Sequence, residues 1–427
     1  MTPTRTRWWM LVLFSLMYLI AYLDRGVISV AQPEIRATFG LSLGQMGFVL
    51  AAFTWAYAAG QIPAGWLGDR FGPKRVLGAL IGWTSTAAIL TGAAGGFGSL
   101  FTARLLLGVG EAGAFPVASR GMQLWFAPSE RGRIQGITHF FSRFAVAMTP
   151  LTAGGLMVAY GWRVMFYVFG AIGFAWVVIF WWFYRERPED HPAVNREELA
   201  EIRGVEADGR IKTLSLAKPI TPWRRILTTP NMWWICLGYG CFFFGTNFYL
   251  TWYPTYLREY RGLSIVALGL WGSIPLFGGM LGDVVGGWLS DMLLKRTGSA
   301  RLARRWVAAP GFLLAGALLI PAAIAGNATV SILCLASSFF FLEWVIGPAW
   351  AVPMDVGGRF SGTVTGVMNT AGALTASLTP IVYGSLFQRG YWVAPFLVSA
   401  GVLGIGALIW IFLIDPEASV VGADAQA

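Results

Sequence analysis

The chain has 427 residues, 56% of them hydrophobic and 12% charged, with a formal net charge of +10. An ordinary soluble domain carries roughly 25% charged residues, so this composition excludes a chain folded in water as two or three globular domains. Nucleic acid is not implied either, because the basic residues cluster in short connections between apolar blocks: Arg70, Lys74 and Arg75; Arg131 and Arg133; Lys295, Arg296, Arg301, Arg304 and Arg305.

Blocks such as Trp8 to Leu23 and Phe312 to Ala325 do not alternate apolar with polar residues as barrel strands do. In lipid that leaves helices. In chain order the blocks predict twelve spans, at 8–30, 43–68, 76–96, 98–122, 131–157, 161–184, 230–257, 264–293, 304–325, 329–354, 361–388 and 391–414. A bilayer core requires about 20 residues of helix. Arg5 and Arg7 precede the first block as in a signal peptide, but the block is too long, and Asp24-Arg25 follows where a small-residue cleavage site belongs. It reads as an uncleaved first span. The connections that alternate with the basic ones hold few cations, such as Arg163 and Arg389; this positive-inside bias predicts both termini in the cytoplasm. The one long polar segment, 185–229, reads as a cytoplasmic linker with a short surface helix at Arg196–Arg203. It separates a six-span half at 1–184 from another at 230–427. Cys236, Cys241 and Cys334 lie in apolar runs without metal-ligand spacing and read as packing residues.

The halves carry a weak repeat. Gly65-Trp66-Leu67-Gly68-Asp69-Arg70 ends the second span and Gly287-Trp288-Leu289-Ser290-Asp291-Met292 the eighth. Gly132-Arg133-Ile134-Gln135-Gly136 opens the fifth span, and Gly358-Arg359-Phe360-Ser361-Gly362 precedes the eleventh. The run from Gly65 to Arg75 is similar to the loop signature of the major facilitator superfamily. That resemblance implies an all-helical membrane fold of twelve helices in two parallel six-helix repeats, with Gly65, Asp69, Arg70 and Gly72 as a gating motif. Its physics is plain: glycines permit a tight turn and close helix approach. Asp69 can face a helix N-terminus in one conformation and release it in another.

Ionisable residues inside spans are expensive and mark function. The first span holds Tyr22, Asp24 and Arg25, and the fourth Arg104 and Glu111. At about 1.5 Å per residue, Arg25 and Arg104 lie at matching depth, roughly 9 Å from the outer face. Arg104 and Glu111 share a helix face, with Glu111 about 10 Å deeper. Arginine forks pair with carboxylates and stay charged, while buried carboxyls can cycle protons. The set suits a carboxylate-bearing substrate coupled to protons. The alternative is two internal ion pairs, Asp24 with Arg25 and Arg104 with Glu111.

Tyr22-Leu23-Asp24-Arg25, Trp55-Ala56-Tyr57 with Gln61-Ile62-Pro63, and the fourth-span run from Arg104 to Pro116 resemble the anion:cation symporter family. That family includes sugar-acid/proton symporters and, more distantly, vesicular glutamate transporters. The resemblance implies that Arg25, Tyr57 and Arg104 contact the anion with Tyr22 beside them, that Asp24 and Glu111 carry protons, and that Trp350 and Asn369 complete the substrate site. It also implies a bacterial inner membrane. Where the family's galactonate carrier has a glutamine in the fifth span this chain has Ser142, and where it has a tenth-span serine this chain has Gly347. Galactonate itself is thereby placed in doubt.

His139 and Arg143 are four apart and share a face of the fifth span. His139 reads as a hydrogen-bonded structural residue. Arg143 is a mid-membrane cation that either meets Glu111, favoured because the fourth and fifth spans are sequence neighbours, or binds a second acidic group on the substrate; a packing ion pair is the equal alternative. Glu343 is a mid-membrane carboxylate with no evident role, and Asp283 reads as a structural partner. In the seventh span, Pro254 within Tyr249-Leu250-Thr251-Trp252-Tyr253-Pro254 allows a kink.

The expected function is proton-coupled import of a small organic anion by alternating access, with proton-coupled export as the alternative. No Walker loop supports ATP-driven transport, and two histidines, one of them in the linker, give no enzyme constellation. The expected partners are the anion, protons and the bilayer, without nucleic acid; the chain acts as a monomer with no cofactor beyond the proton gradient.

Overall fold

A computed structural model of the chain describes residues 2–205, 211, 220–263 and 271–422. The predicted opening of the eighth span, 264–270, lies outside them, as do 206–210 and 212–219 of the linker.

Among the described residues, twelve helical spans run in alternating directions. The first six are Thr6–Phe39, Leu43–Phe71, Pro73–Gly92, Phe97–Ala112 continued by Ala114–Trp125, Arg131–Tyr160 and Trp162–Phe183. The last six are Pro230–Thr251, Ile274–Thr297, Ala300–Ile324, Ala328–Glu343 continued by Ile346–Val356, Ser361–Ala376 continued by Leu378–Gln388, and Ala394–Leu408. An even number of crossings puts both chain ends on one face. The ends of the helices carry local stop and start signals. Ser42 and Gln45 form a reciprocal capping box at the second span. Gly72 (φ +87°) makes the turn between the second and third, where a side chain would also strike the Glu186 carboxylate. The seventh-span helix ends at Thr251, three residues ahead of Pro254.

By length and apolarity alone, seven helical stretches would cross a membrane. The second, third, seventh, eighth and eleventh fall below that mark, and of these the second, eighth and eleventh exchange bulk for close approach. A methyl group on Gly65 would lie 2.3 Å from the carbonyl oxygen of Gly362, and one on Gly287 2.3 Å from that of Gly132. The second span accordingly runs along the eleventh and the eighth along the fifth.

The short helix Arg196–Arg203 after the sixth span does more than fill a linker. Its Glu198 carboxylate is fully buried. It accepts from the backbone N–H of Thr6 (3.1 Å) and Arg7 (2.9 Å) and from the Thr4 hydroxyl (2.5 Å), satisfying donors that open the first helix.

Candidate functional site

On the first helix Tyr22 and Arg25 are three apart and share a face. The Arg25 guanidinium lies over Tyr57 (4.5 Å to the ring centre), Tyr22 (4.9 Å), Phe115 (5.1 Å) and Phe53 (5.4 Å). Its Nε donates to Glu111 Oε2 at 2.6 Å. Arg25 keeps 22% of its side chain exposed, whereas Glu111 has none. Arg104 stands over the other side of this group, 4.8 Å from the Phe53 ring, so one phenyl ring serves both guanidinium groups. The matched depth of the two arginines is thus visible as a shared neighbour. Arg104 is 2% exposed, and its Nε and Nη1 have no hydrogen-bond partner. Asp24 is buried within the electrostatic reach of Glu111 and Arg104.

Neither pair of the internal alternative forms; Arg25 is paired with Glu111 instead. Adjacent residues on a helix diverge, so Asp24 cannot face Arg25. Seven residues put Arg104 and Glu111 about 10 Å apart along the axis, beyond direct contact.

Trp350, Asn369 and Tyr57 are joined by a chain of hydrogen bonds across the bundle. Trp350 Nε1 donates to the Tyr239 hydroxyl (2.8 Å), which donates to Asn369 Oδ1 (3.4 Å). Asn369 Nδ2 donates to the Tyr57 hydroxyl (3.3 Å) and to Gln61 Oε1. Ser142 is fully buried, and its hydroxyl donates to the His139 carbonyl at 2.6 Å, within its own helix. The His139 ring packs 4.9 Å from Trp350 and 5.2 Å from Tyr18, with Nδ1 donating to the Gln135 carbonyl (2.9 Å).

Arg143 does not meet Glu111. Its Nη2 donates to Glu343 Oε2 at 2.7 Å. Sequence adjacency of the fourth and fifth spans suggested the wrong neighbour: the fifth helix lies along the eighth, and there Glu343 of the tenth is at hand.

The motif expected to gate sits at the face carrying the chain ends. Asp69 accepts from the backbone N–H of Gly362 (3.0 Å) and Thr363 (2.6 Å) and from the Thr363 hydroxyl (2.6 Å), at the start of the eleventh helix. Arg70 lies over Trp66 and Phe71. Asp291 does the same at the start of the fifth helix, accepting from Gly132 N–H (3.0 Å) and Arg133 N–H (2.5 Å), and it also holds Arg304 (2.9 Å). The structural repeat thus matches Gly132 with Gly362, one helical turn from the register suggested by the Gly-Arg pairs. In that register Gly136 matches Gly366 and, eight residues before each aspartate, Asp283 matches Gln61. More bonds close this face: Arg131 with Asp355 (2.7 Å), Gln123 with the Met354 carbonyl (2.7 Å) and Ser361 with Gln123 (2.7 Å).

Sequence reasoning passed over Phe53, Phe115 and Tyr239. Phe53 is four residues before Tyr57, on the same helix face, and that spacing was the available signal. Tyr239 had none.

A bundle closed at one face around a buried, partly unsatisfied cation site is the build of a membrane carrier. The family model of the Major Facilitator Superfamily matches residues 14–380, and the chain belongs to that superfamily and, within it, to the anion:cation symporter family. It is a transporter rather than an enzyme. It is 41% identical to a probable sulfoacetate transporter of Cupriavidus necator over 99% of this chain and 97% of that one. It is 33% identical to a probable galactarate/D-glucarate transporter of Bacillus subtilis over 98% and 94%. The solved fucose:proton symporter of Escherichia coli superposes with a TM-score of 0.72 at 15% identity, over 96% and 99%.

Proposed function

We propose that the protein imports a small organic anion together with protons, by rocking of its six-span halves, 1–184 and 230–427, about the linker 185–229. The observation that carries this reading is Arg104: a guanidinium 2% exposed with two unpartnered nitrogens. Buried donors left without acceptors cost about 1–3 kcal/mol or more, and an acidic group of the substrate supplies the missing acceptors in bidentate geometry. Arg25 stands ready beside it, held by Glu111. A proton arriving on Glu111 frees Arg25 for the anion, which ties binding to protonation; Asp24 is the second carboxyl in reach. No cofactor beyond the proton gradient enters.

The relatives are named for sulfoacetate, galactarate and D-glucarate, each with two acidic groups, so dianions are the first probes. By the positive-inside bias the closed, chain-end face is the cytoplasmic one, in a bacterial inner membrane. The test is thermal stabilisation of the purified protein by an organic-acid panel, where an anion at 100 times its Kd stabilises by about 2.7 kcal/mol. Any anion that stabilises wild type is expected to lose its effect in Arg104→Lys, because an ammonium cannot reproduce the fork. Full stabilisation of Arg104→Lys overturns the site. Loss of proton-driven accumulation in Glu111→Gln, with exchange retained, is the matching expectation for coupling.

A further inference from the structure

We propose that Asp283, Glu343 and Arg143 form a second proton-binding site, in the contact between the fifth and eighth spans, which holds a proton while that contact is closed. Asp283 and Glu343 are fully buried and Arg143 is 5% exposed. The one guanidinium faces two carboxyls and donates to Glu343. Neither oxygen of Asp283 accepts a hydrogen bond, and one turn before it on the eighth helix a side chain at Gly279 would meet Glu343 Cγ at 3.1 Å, so the two carboxyls are close neighbours. Two carboxylates this close, sharing one cation in low dielectric, do not both ionise. A proton on Asp283 removes the unmatched charge and supplies an O–H for Glu343.

Packing does not demand an acid here. At the matching place in the other contact the fold uses Gln61, neutral and bonded to Asn369. The surroundings are otherwise accounted for. His139 comes from the fifth span, and Tyr249 and Tyr239 from the seventh with Thr246, whose hydroxyl reaches Glu343 (3.4 Å). Tyr22 comes from the first. Two turns nearer the chain ends, Asp291 and Asp355 are matched by Arg304 and Arg131, and Glu130 by Arg133 and Arg7.

The sign of the linkage follows. The proton is held when the contact is closed and lost to water when the spans part and Asp283 ionises, so acid favours the closed contact. One linked proton shifts the balance by at most about tenfold per pH unit. The site is separate from Asp24 and Glu111, and its test needs no transported anion, so it stands or falls apart from the anion reading.

The full chain is placed in lipid nanodiscs as Asp24→Asn/Glu111→Gln, and the infrared C=O stretch of protonated carboxyls is compared before and after adding Asp283→Asn. The band is expected to lose intensity. It is also expected to fall in Glu343→Gln, a variant that keeps one acid for Arg143 and so lets Asp283 ionise. An unchanged band in both variants overturns the site. In the same background, spin labels at Val158→Cys and Tyr391→Cys, with Cys334→Ser, report the opening of the far face. Their distance distribution is expected to vary with pH and to stop varying with Asp283→Asn; identical pH dependence with and without it overturns the link to the contact.

Discussion

The second span meets the eleventh much as the eighth meets the fifth. Each contact has a glycine pressed against a carbonyl, Gly65 on Gly362 and Gly287 on Gly132. Each has an aspartate capping the opposing helix, Asp69 and Asp291. Deeper in the bundle they part. The second–eleventh contact is finished with neutral amides, Gln61 on Asn369. The fifth–eighth contact is bordered by Asp283, Glu343 and Arg143. Backbone geometry is thus duplicated while chemistry is not. What a duplicated frame keeps is close packing and helix capping; what it is free to vary is the charge at mid-membrane.

The largest break in the comparison is expected from Arg143→Gln, which leaves Glu343 buried without its cation and costs about 3–5 kcal/mol. Thermal unfolding at neutral pH measures it, and Arg143→Gln/Glu343→Gln is expected to recover most of the loss. Gln61→Ala, the neutral counterpart, is expected to cost about 1–3 kcal/mol. Equal losses in the two single variants would erase the distinction. The glycine pair tests the shared part: Gly65→Ala and Gly287→Ala place a methyl 2.3 Å from a carbonyl oxygen. Each is expected to open the chain-end face by about 1–3 kcal/mol, read as shortening of the Val158→Cys to Tyr391→Cys spin-label distance. The smallest effect is expected from the caps. Asp69→Asn and Asp291→Asn keep one acceptor oxygen but lose the charge, about 1–2 kcal/mol on the same distance measurement. Asp291→Asn is the larger because Arg304 loses one of its two anions.

Most of the fold was legible because burial in lipid forces long apolar runs: nine of the twelve predicted spans match helices within four residues at either end, the first helix runs nine residues past its predicted end and the seventh stops six short, and the opening of the eighth falls outside the described residues. Arg25 and Arg104 were legible as a pair because depth follows from residue count along antiparallel helices. Partnership was not legible. Arg143 was matched to the nearest span in sequence, whereas the fifth helix packs on the eighth through Gly136, where a side chain would meet the Asp283 carbonyl oxygen at 2.1 Å. A glycine signals closeness without naming what is close. The repeat register slipped by one turn for a related reason. Gly-Arg pairs recur in the letters, but the capped N–H groups fix the true match, and backbone donors leave no mark in sequence.

The cap that Glu198 provides for the first helix has a consequence in time rather than in space. Residues 6 and 7 enter the membrane early in synthesis, while residue 198 leaves the ribosome only after all six spans of the first half have been made. Until then the leading N–H groups of the first helix rely on water. The opening turn of the protein is therefore among the last parts of the first half to be completed, and its closure marks the point at which that half has been fully synthesised.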